Sequence, residues 1–182
     1  MTVSGYLTQL ADLMGRPAST GFPVDWTTVE AQLSLGLPPD YKALVEHFGP
    51  GTYDAFVTVN VPGIAAKHYD LVEQVRSFGQ EQESENSGFA PHVLQPAAGG
   101  LVLWGATVSG DLFFWEPRVP DPAAWPVLAW DVEDGDYFTF EGGTVEFLLR
   151  FFDGTLEPDL PMILPREGTA PMLFAPDPNA LR

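Results

Sequence analysis

Hydrophobic positions recur at helical spacing through the first fifty residues and shift toward a period of two beyond residue 100. Val3, Tyr6, Leu7, Leu10 and Met14 share one helix face, with Gly15 placed to stop it. Asp25 is placed to cap a second helix carrying Trp26, Val29 and Leu33 on one face. The run Leu35-Gly36-Leu37-Pro38-Pro39-Asp40-Tyr41 breaks the chain and starts a third helix at once. Tyr41, Leu44, Val45 and Phe48 then sit at i, i+3, i+4 and i+7, and Gly49 ends the pattern. Proline is tolerated at a helix start, where the missing N–H costs nothing.

Phe56 to Val61 is β-branched and aromatic, is bounded by Pro62-Gly63, and predicts a strand. His68 to Gly79 predicts a helix with Leu71, Val72, Val75 and Phe78 as its apolar face, followed by a polar, acidic loop over Gln80–Gly88. Leu101–Trp104, Leu112–Trp115, Val127–Trp130 and Tyr137–Phe140 predict four strands. Ser109-Gly110-Asp111 and Glu133-Asp134-Gly135-Asp136 read as hairpin turns, since glycine supplies the positive φ such turns need. Thr144 is expected to cap a last helix bearing Val145, Leu148, Leu149 and Phe152, with Gly154 after it. Tyr41, Trp104, Trp115 and Phe147 fall on core faces and are expected to be buried.

Helices, then a run of strands, then a helix predict an α+β fold: a small, mixed or mostly antiparallel sheet flanked by helices, as one domain over residues 1–155. Residues 156–182 hold six of the eighteen prolines and predict an extended arm, because proline supports neither ladders nor helix interiors. Met162, Ile163, Leu164, Met172, Leu173 and Phe174 are too apolar for a free tail, so the arm is expected to pack partly on the body.

Composition narrows the class. With 45% hydrophobic and 13% aromatic residues the chain can build a core, which excludes disorder. The absence of cysteine removes disulfides, thiol catalysis and cysteine zinc sites, and fits a reducing, cytoplasmic setting. Met1 to Leu10 lacks the basic and apolar parts of a signal peptide, and no run of about 18 apolar residues marks a membrane span. Twenty-five acids against eight Lys and Arg give a net charge of −17. That balance excludes nucleic acid and anionic lipid surfaces, whose binding depends on cations. It keeps a protein soluble, and it also steers a basic protein partner toward it.

The charge is uneven. Between Asp111 and Asp159 twelve acids stand against Arg118 and Arg150 alone, a net −10 of the −17. Asp131, Glu133, Asp134 and Asp136 form the densest cluster, and Trp125 and Trp130 lie near enough in sequence to act as aromatic anchors. These six are the candidate partner-binding residues, since affinity at such interfaces concentrates in a few aromatic or charged side chains. The competing reading of the acids is a solvated face.

Catalytic chemistry finds little support. GxGxxG, Walker, HExxH and GxSxG motifs are all missing, and His47, His68 and His92 stand far apart in sequence. His68 and Asp70 read as a helix start with an acid in the first turn, favourable beside the macrodipole, more than as a base and its orienting group. Asp131 to Asp136 has a superficial likeness to a calcium loop, but the positions that need Gly and a bidentate Glu hold Asp136 and Gly142. Trp104, Trp115, Trp125 and Trp130 would make a stacking platform only if they left the core. A carboxylate pair for glycoside hydrolysis has no motif behind it. The expectation is therefore no catalytic residue, no metal and no cofactor.

Taken in order, several motifs resemble the SUKH superfamily, which includes fungal cell-wall-synthesis regulators and many bacterial immunity proteins. They are Trp26-x-x-x-Glu30, Leu35-Gly36-Leu37-Pro38-Pro39-Asp40-Tyr41, Phe48-Gly49-Pro50-Gly51, Trp104-Gly105, Gly110-Asp111 with Phe114-Trp115, Trp125-Pro126, and Phe147-Leu148 with Gly154. The LP-x-DY helix start followed by an FG-x-G stop is the most specific part. The resemblance implies an α+β domain with a small mixed sheet flanked by helices, without catalytic residues or cofactor. For bacterial members it implies a protein that binds and inactivates a polymorphic toxin, often a nuclease. Gln80–Gly100 is longer and less patterned than the resemblance implies, and the proline-rich arm lies outside the matched span of Trp26 to Gly154. The first expectation is thus a non-enzymatic, acidic immunity protein that neutralises a basic toxin domain. A regulatory or scaffold module of the same fold comes second, and a hydrolase third.

Overall fold

The structure, a computed structural model, describes residues 2–16, 18–84, 92–95, 97–156 and 171–180. Helix α1 (Val3–Leu13) is capped by the Thr2 hydroxyl, which accepts the Gly5 N–H at 3.3 Å. Helix α2 (Trp26–Leu33) starts at Asp25, whose carboxylate accepts the Thr28 N–H at 3.2 Å. Helix α3 (Pro39–Phe48) opens on a proline and ends at Gly49, with φ 70°. Helices α4 (Leu71–Ser84) and α5 (Thr144–Asp153) complete the helical set among the described residues.

Strands β1 (Gly51–Tyr53), β2 (Val57–Val59), β3 (Val102–Thr107), β4 (Leu112–Trp115), β5 (Val127–Trp130), β6 (Tyr137–Phe140) and β7 (Phe174–Pro176) form one sheet in the order β6-β5-β4-β3-β2-β1-β7. Every neighbouring pair is antiparallel, and the one parallel contact among the described residues is an isolated bridge between Leu94 and Leu101. The α+β class is as the sequence predicts, with a sheet that is larger and more uniformly antiparallel.

Alternation along the strands divides the core. Val102, Trp104, Phe113, Trp115, Val127 and Ala129 pack with the apolar faces of α1, α3 and α5. Leu103, Phe114 and Leu128 point the other way, into a smaller cluster that Phe78 of α4 helps to cover. Phe147 stands edge-on to Phe113 at 5.1 Å and to Trp104 at 6.1 Å, and Tyr41 stands edge-on to Trp115 at 4.7 Å. All four aromatics expected in the core are there, with no exposed surface. Each side chain so buried contributes about 1.5–3 kcal/mol of transfer free energy.

Four expectations need correction. Helix α4 runs through a buried Gly79 to Ser84, so the first part of the expected 80–88 loop is helical and the rest lies outside the described residues. His68 sits in a 3-10 turn (Lys67–Tyr69), and Asp70 precedes α4 instead of occupying its first turn. Its carboxylate accepts the N–H groups of Glu73 at 3.0 Å and Gly63 at 2.7 Å, tying the helix start to the preceding loop. Thr144 is the first residue of α5 and not its cap: its hydroxyl accepts the Trp115 indole N–H at 2.9 Å. The capping oxygen comes from Asp40, 105 residues away, whose Oδ2 accepts the Val145 N–H at 3.1 Å. Finally, part of the carboxyl arm is a strand. Phe174–Pro176 pairs with β1 in the register Tyr53 to Phe174, while residues 162–164 lie outside the described residues. Pro176 is tolerated because β7 ends the sheet.

Candidate protein-binding surface at the turn end of the sheet

The β1–β2, β3–β4 and β5–β6 turns gather at one end of the sheet and are bonded to one another. Strand β5 ends at Trp130, and the chain turns through Asp131–Asp136. The Asp131 N–H donates to the Asp136 carbonyl and the Gly135 N–H to the Asp131 carbonyl, both at 2.9 Å. Gly135 supplies the required positive φ of 72°. The Asp131 carboxylate folds back to accept the N–H groups of Glu133 at 2.8 Å and Asp134 at 3.3 Å. The neighbouring turn holds this one in place, since Asp111 Oδ1 accepts the Val132 N–H at 3.2 Å and Asp111 Oδ2 accepts the Thr107 hydroxyl at 2.7 Å. The Val108 N–H donates to the Phe56 carbonyl at 2.9 Å, which ties in the β1–β2 turn. There Asp54 and Ala55 both hold positive φ, 52° and 53°, an unfavourable backbone that Phe56 helps to fix by stacking on Phe151.

This geometry sorts the six candidate residues. Glu133, Asp134 and Asp136 are exposed, and among the described residues none of them enters an ion pair. Asp131 is buried and engaged with the turn backbone, so it shapes the surface without offering its charge. Trp125 is buried as well: its indole N–H donates to the Val119 carbonyl at 2.7 Å and its ring joins the main core. It is not a surface anchor, because a ring that large gains more from the core than a turn can offer it. Trp130 is half-buried against the smaller cluster.

Two apolar residues that sequence reasoning passed over are exposed instead. Val108 is 68% exposed and Val132 44% exposed, on the two coupled turns. Gly110 leaves room beneath Val132, whose side chain would be 3.6 Å from a Cβ there. The available signal was an apolar residue at each hairpin tip, where polar residues are the rule. The surface is thus an apolar pair beside three carboxylates on a hydrogen-bonded frame.

Elsewhere the histidines are engaged in the fold. His47 contacts the Arg16 carbonyl, His68 packs on Tyr69 and His92 on Tyr137, so the histidines remain separate in space. Among the described residues no group of three or more His, Asp or Glu converges as a metal-ligand set. Burial holds the Asp40 carboxyl above the usual carboxylate range, against the opposing pull of backbone N–H donors led by Val145. Asp40 borders a cavity of about 220 Å³ with Tyr6 and Glu146. Its Oδ2 serves the α5 N-terminus, and Glu146 is bonded to Arg150 at 2.7 and 2.9 Å, which is the arrangement of a cap and an ion pair. No described helix is long and apolar enough to cross a membrane.

Fold and surface together define an α+β domain built on one antiparallel sheet, with an acidic face made by its turns. No family model, no curated protein and no solved structure matches the chain.

Proposed function

We propose that the protein is a non-enzymatic binding domain, an immunity protein that docks a basic toxin domain against the turn end of its sheet and neutralises it. The observation that carries the reading is the pairing of exposed Glu133, Asp134 and Asp136 with exposed Val108 and Val132 on mutually bonded turns. A pre-formed surface binds without an ordering cost, and its charge raises the encounter rate with a cationic partner. The motif resemblance to the SUKH superfamily supports the toxin as the kind of partner, and the −17 net charge supports a basic one over nucleic acid or an anionic membrane. An intracellular regulatory module of the same fold would use the same surface on a host protein.

Co-purification with the product of the adjacent gene tests the reading, because an immunity gene lies beside its toxin gene. In that complex, Asp134→Lys with Asp136→Lys should lower the association rate about tenfold at low salt, flatten its salt dependence and leave thermal unfolding unchanged. A double variant that associates at the wild-type rate in low salt removes the turn end as the docking surface.

A further inference from the structure

The sheet has two edges, and they are treated differently. Strand β7 is short and carries Pro176, which blunts an edge against further pairing. Strand β6, Tyr137-Phe138-Thr139-Phe140, contains neither proline nor charge, and aromatic and β-branched residues favour extension. The Asp131 N–H to Asp136 carbonyl bond sets the phase of its ladder with β5, and alternate residues follow it. Phe138 and Phe140 therefore direct their backbone groups inward, opposite Ala129 and Val127, while Tyr137 and Thr139 direct theirs outward. Among the described residues no strand pairs with that outer side.

Both ends of this edge are acidic. Glu133, Asp134 and Asp136 precede it, with no basic residue in the turn. Glu141 follows it, joined through Arg118 to Glu116 at 2.8 Å on each side, a triad that keeps one net negative charge. A second copy added antiparallel would set the acidic turn of each copy beside the net-negative triad of the other, an unfavourable match at both ends. A strand flanked by Lys or Arg meets an opposite charge at each end. We propose that the outer edge of β6 accepts an extended segment of a protein partner with basic flanks, added to the sheet as an eighth strand through the backbone groups of Tyr137 and Thr139. The proposal rests on the protein-binding reading above and adds to it the mode of docking.

Amide hydrogen exchange with a defined probe tests it, using the synthetic peptide Lys-Lys-Val-Thr-Val-Thr-Val-Lys-Lys and a counterpart with glutamates in place of the lysines. At saturation the basic peptide should slow exchange at the Tyr137 and Thr139 amides about tenfold or more and leave Phe138 and Phe140 little changed, whereas the glutamate peptide should slow none of the four. Thr139→Pro removes an outward N–H and no bond to β5, and should weaken binding of the basic peptide about tenfold. If that variant fails to fold, the exchange measurement on the wild-type chain still decides. Shifts at Glu133–Asp136 without protection at Tyr137 and Thr139 would overturn the edge proposal and leave charge-steered docking at the turns standing. Absence of binding by the basic peptide would overturn it too, while co-purification judges the toxin reading separately. Concentration-dependent protection of the same two amides without peptide would assign the edge to a second copy and overturn the proposal as well.

Discussion

Removing the Asp40 carboxylate should uncap a helix that lies far from it in sequence. Asp40 Oδ2 accepts the Val145 N–H at the start of α5, and Gly143 makes that approach possible, since a Cβ there would lie 2.4 Å from the same oxygen. Asp40→Ala leaves a buried donor without an acceptor. Loss of an N-cap costs about 1 kcal/mol and up to about 2, and an orphaned buried donor about 1–3, so the variant should lose about 2–3 kcal/mol. In a chain of this size that lowers the thermal midpoint by about 4–12 °C. Asp40→Asn keeps an acceptor and drops the charge. Because burial holds the carboxyl above its usual range, ionisation opposes folding while the hydrogen bond favours it. Asn should therefore retain most of the stability, within about 1 kcal/mol of wild type. The pH dependence fixes the sign. A carboxyl raised in the folded state contributes stability that is fully present below its unfolded value and is lost as pH rises through its folded value. The wild type should accordingly gain on the Asn variant as pH falls from 7 toward the unfolded range near 4. Urea unfolding of the three proteins across that window measures all of this. An Ala variant within about 0.5 kcal/mol of wild type, or an Asn variant as costly as Ala, would refute the cap.

Two further outcomes test the packing around β1 and the buried phenols. Gly51→Ala places a Cβ 2.4 Å from the Ala175 carbonyl and from the Phe174 ring, so it should displace β7, cost about 1–3 kcal/mol and open the carboxyl arm to limited proteolysis; an unchanged cleavage pattern would contradict the β1–β7 pairing. Burial pushes the Tyr41 and Tyr53 hydroxyls well above the usual range and that of Tyr137 up to about 12. Their raised values contribute stability that is present below about pH 10 and is lost as pH rises toward and beyond 12. Tyrosinate absorbance from these three should therefore rise together with loss of the near-ultraviolet dichroism, and full ionisation near pH 10.5 in an intact fold would contradict their burial.

The strands on either side of the acidic turn were legible because they satisfy local rules from end to end. Leu112–Trp115, Val127–Trp130 and Tyr137–Phe140 alternate between the two clusters and are bounded by glycine and aspartate turns or by the proline-rich link 116–126, and their ends fall where the pattern places them. Strand β1 was hidden inside the helix stop Phe48-Gly49-Pro50-Gly51, since three residues carry no period and its partner β7 arrives from the end of the chain. Thr144 has the right residue type for a cap, but an acceptor brought by Asp40 takes the role, which no local rule can see. The same limit applies to the candidate surface. An acid-rich stretch with two tryptophans shows where charge and aromatics lie along the chain. Tertiary packing then decides that Trp125 and Asp131 turn inward while Val108 and Val132 stay out. That β6 is an edge follows from the order of the strands, to which its own four residues do not testify.

Net charge overstates what this protein offers a partner, because many of its acids are engaged by its own backbone. Asp25 and Asp70 accept N–H groups at the starts of α2 and α4, Asp40 does so across the fold at α5, and Glu30 accepts the Leu37 N–H ahead of α3. Asp111 and Asp131 hold the two turns together. Each of these carboxylates is fixed by the hydrogen bonds it accepts, and its loss costs stability before it alters recognition. Glu133, Asp134 and Asp136 differ, since the same frame displays them and none of their carboxylates accepts a hydrogen bond from another described residue. On the proposed reading, partner preference can therefore change at positions 133, 134 and 136, and at the exposed valines, while the sheet and its caps stay intact. Charge at Asp111 or Asp131 cannot be altered on those terms, because the turn that presents the surface depends on it.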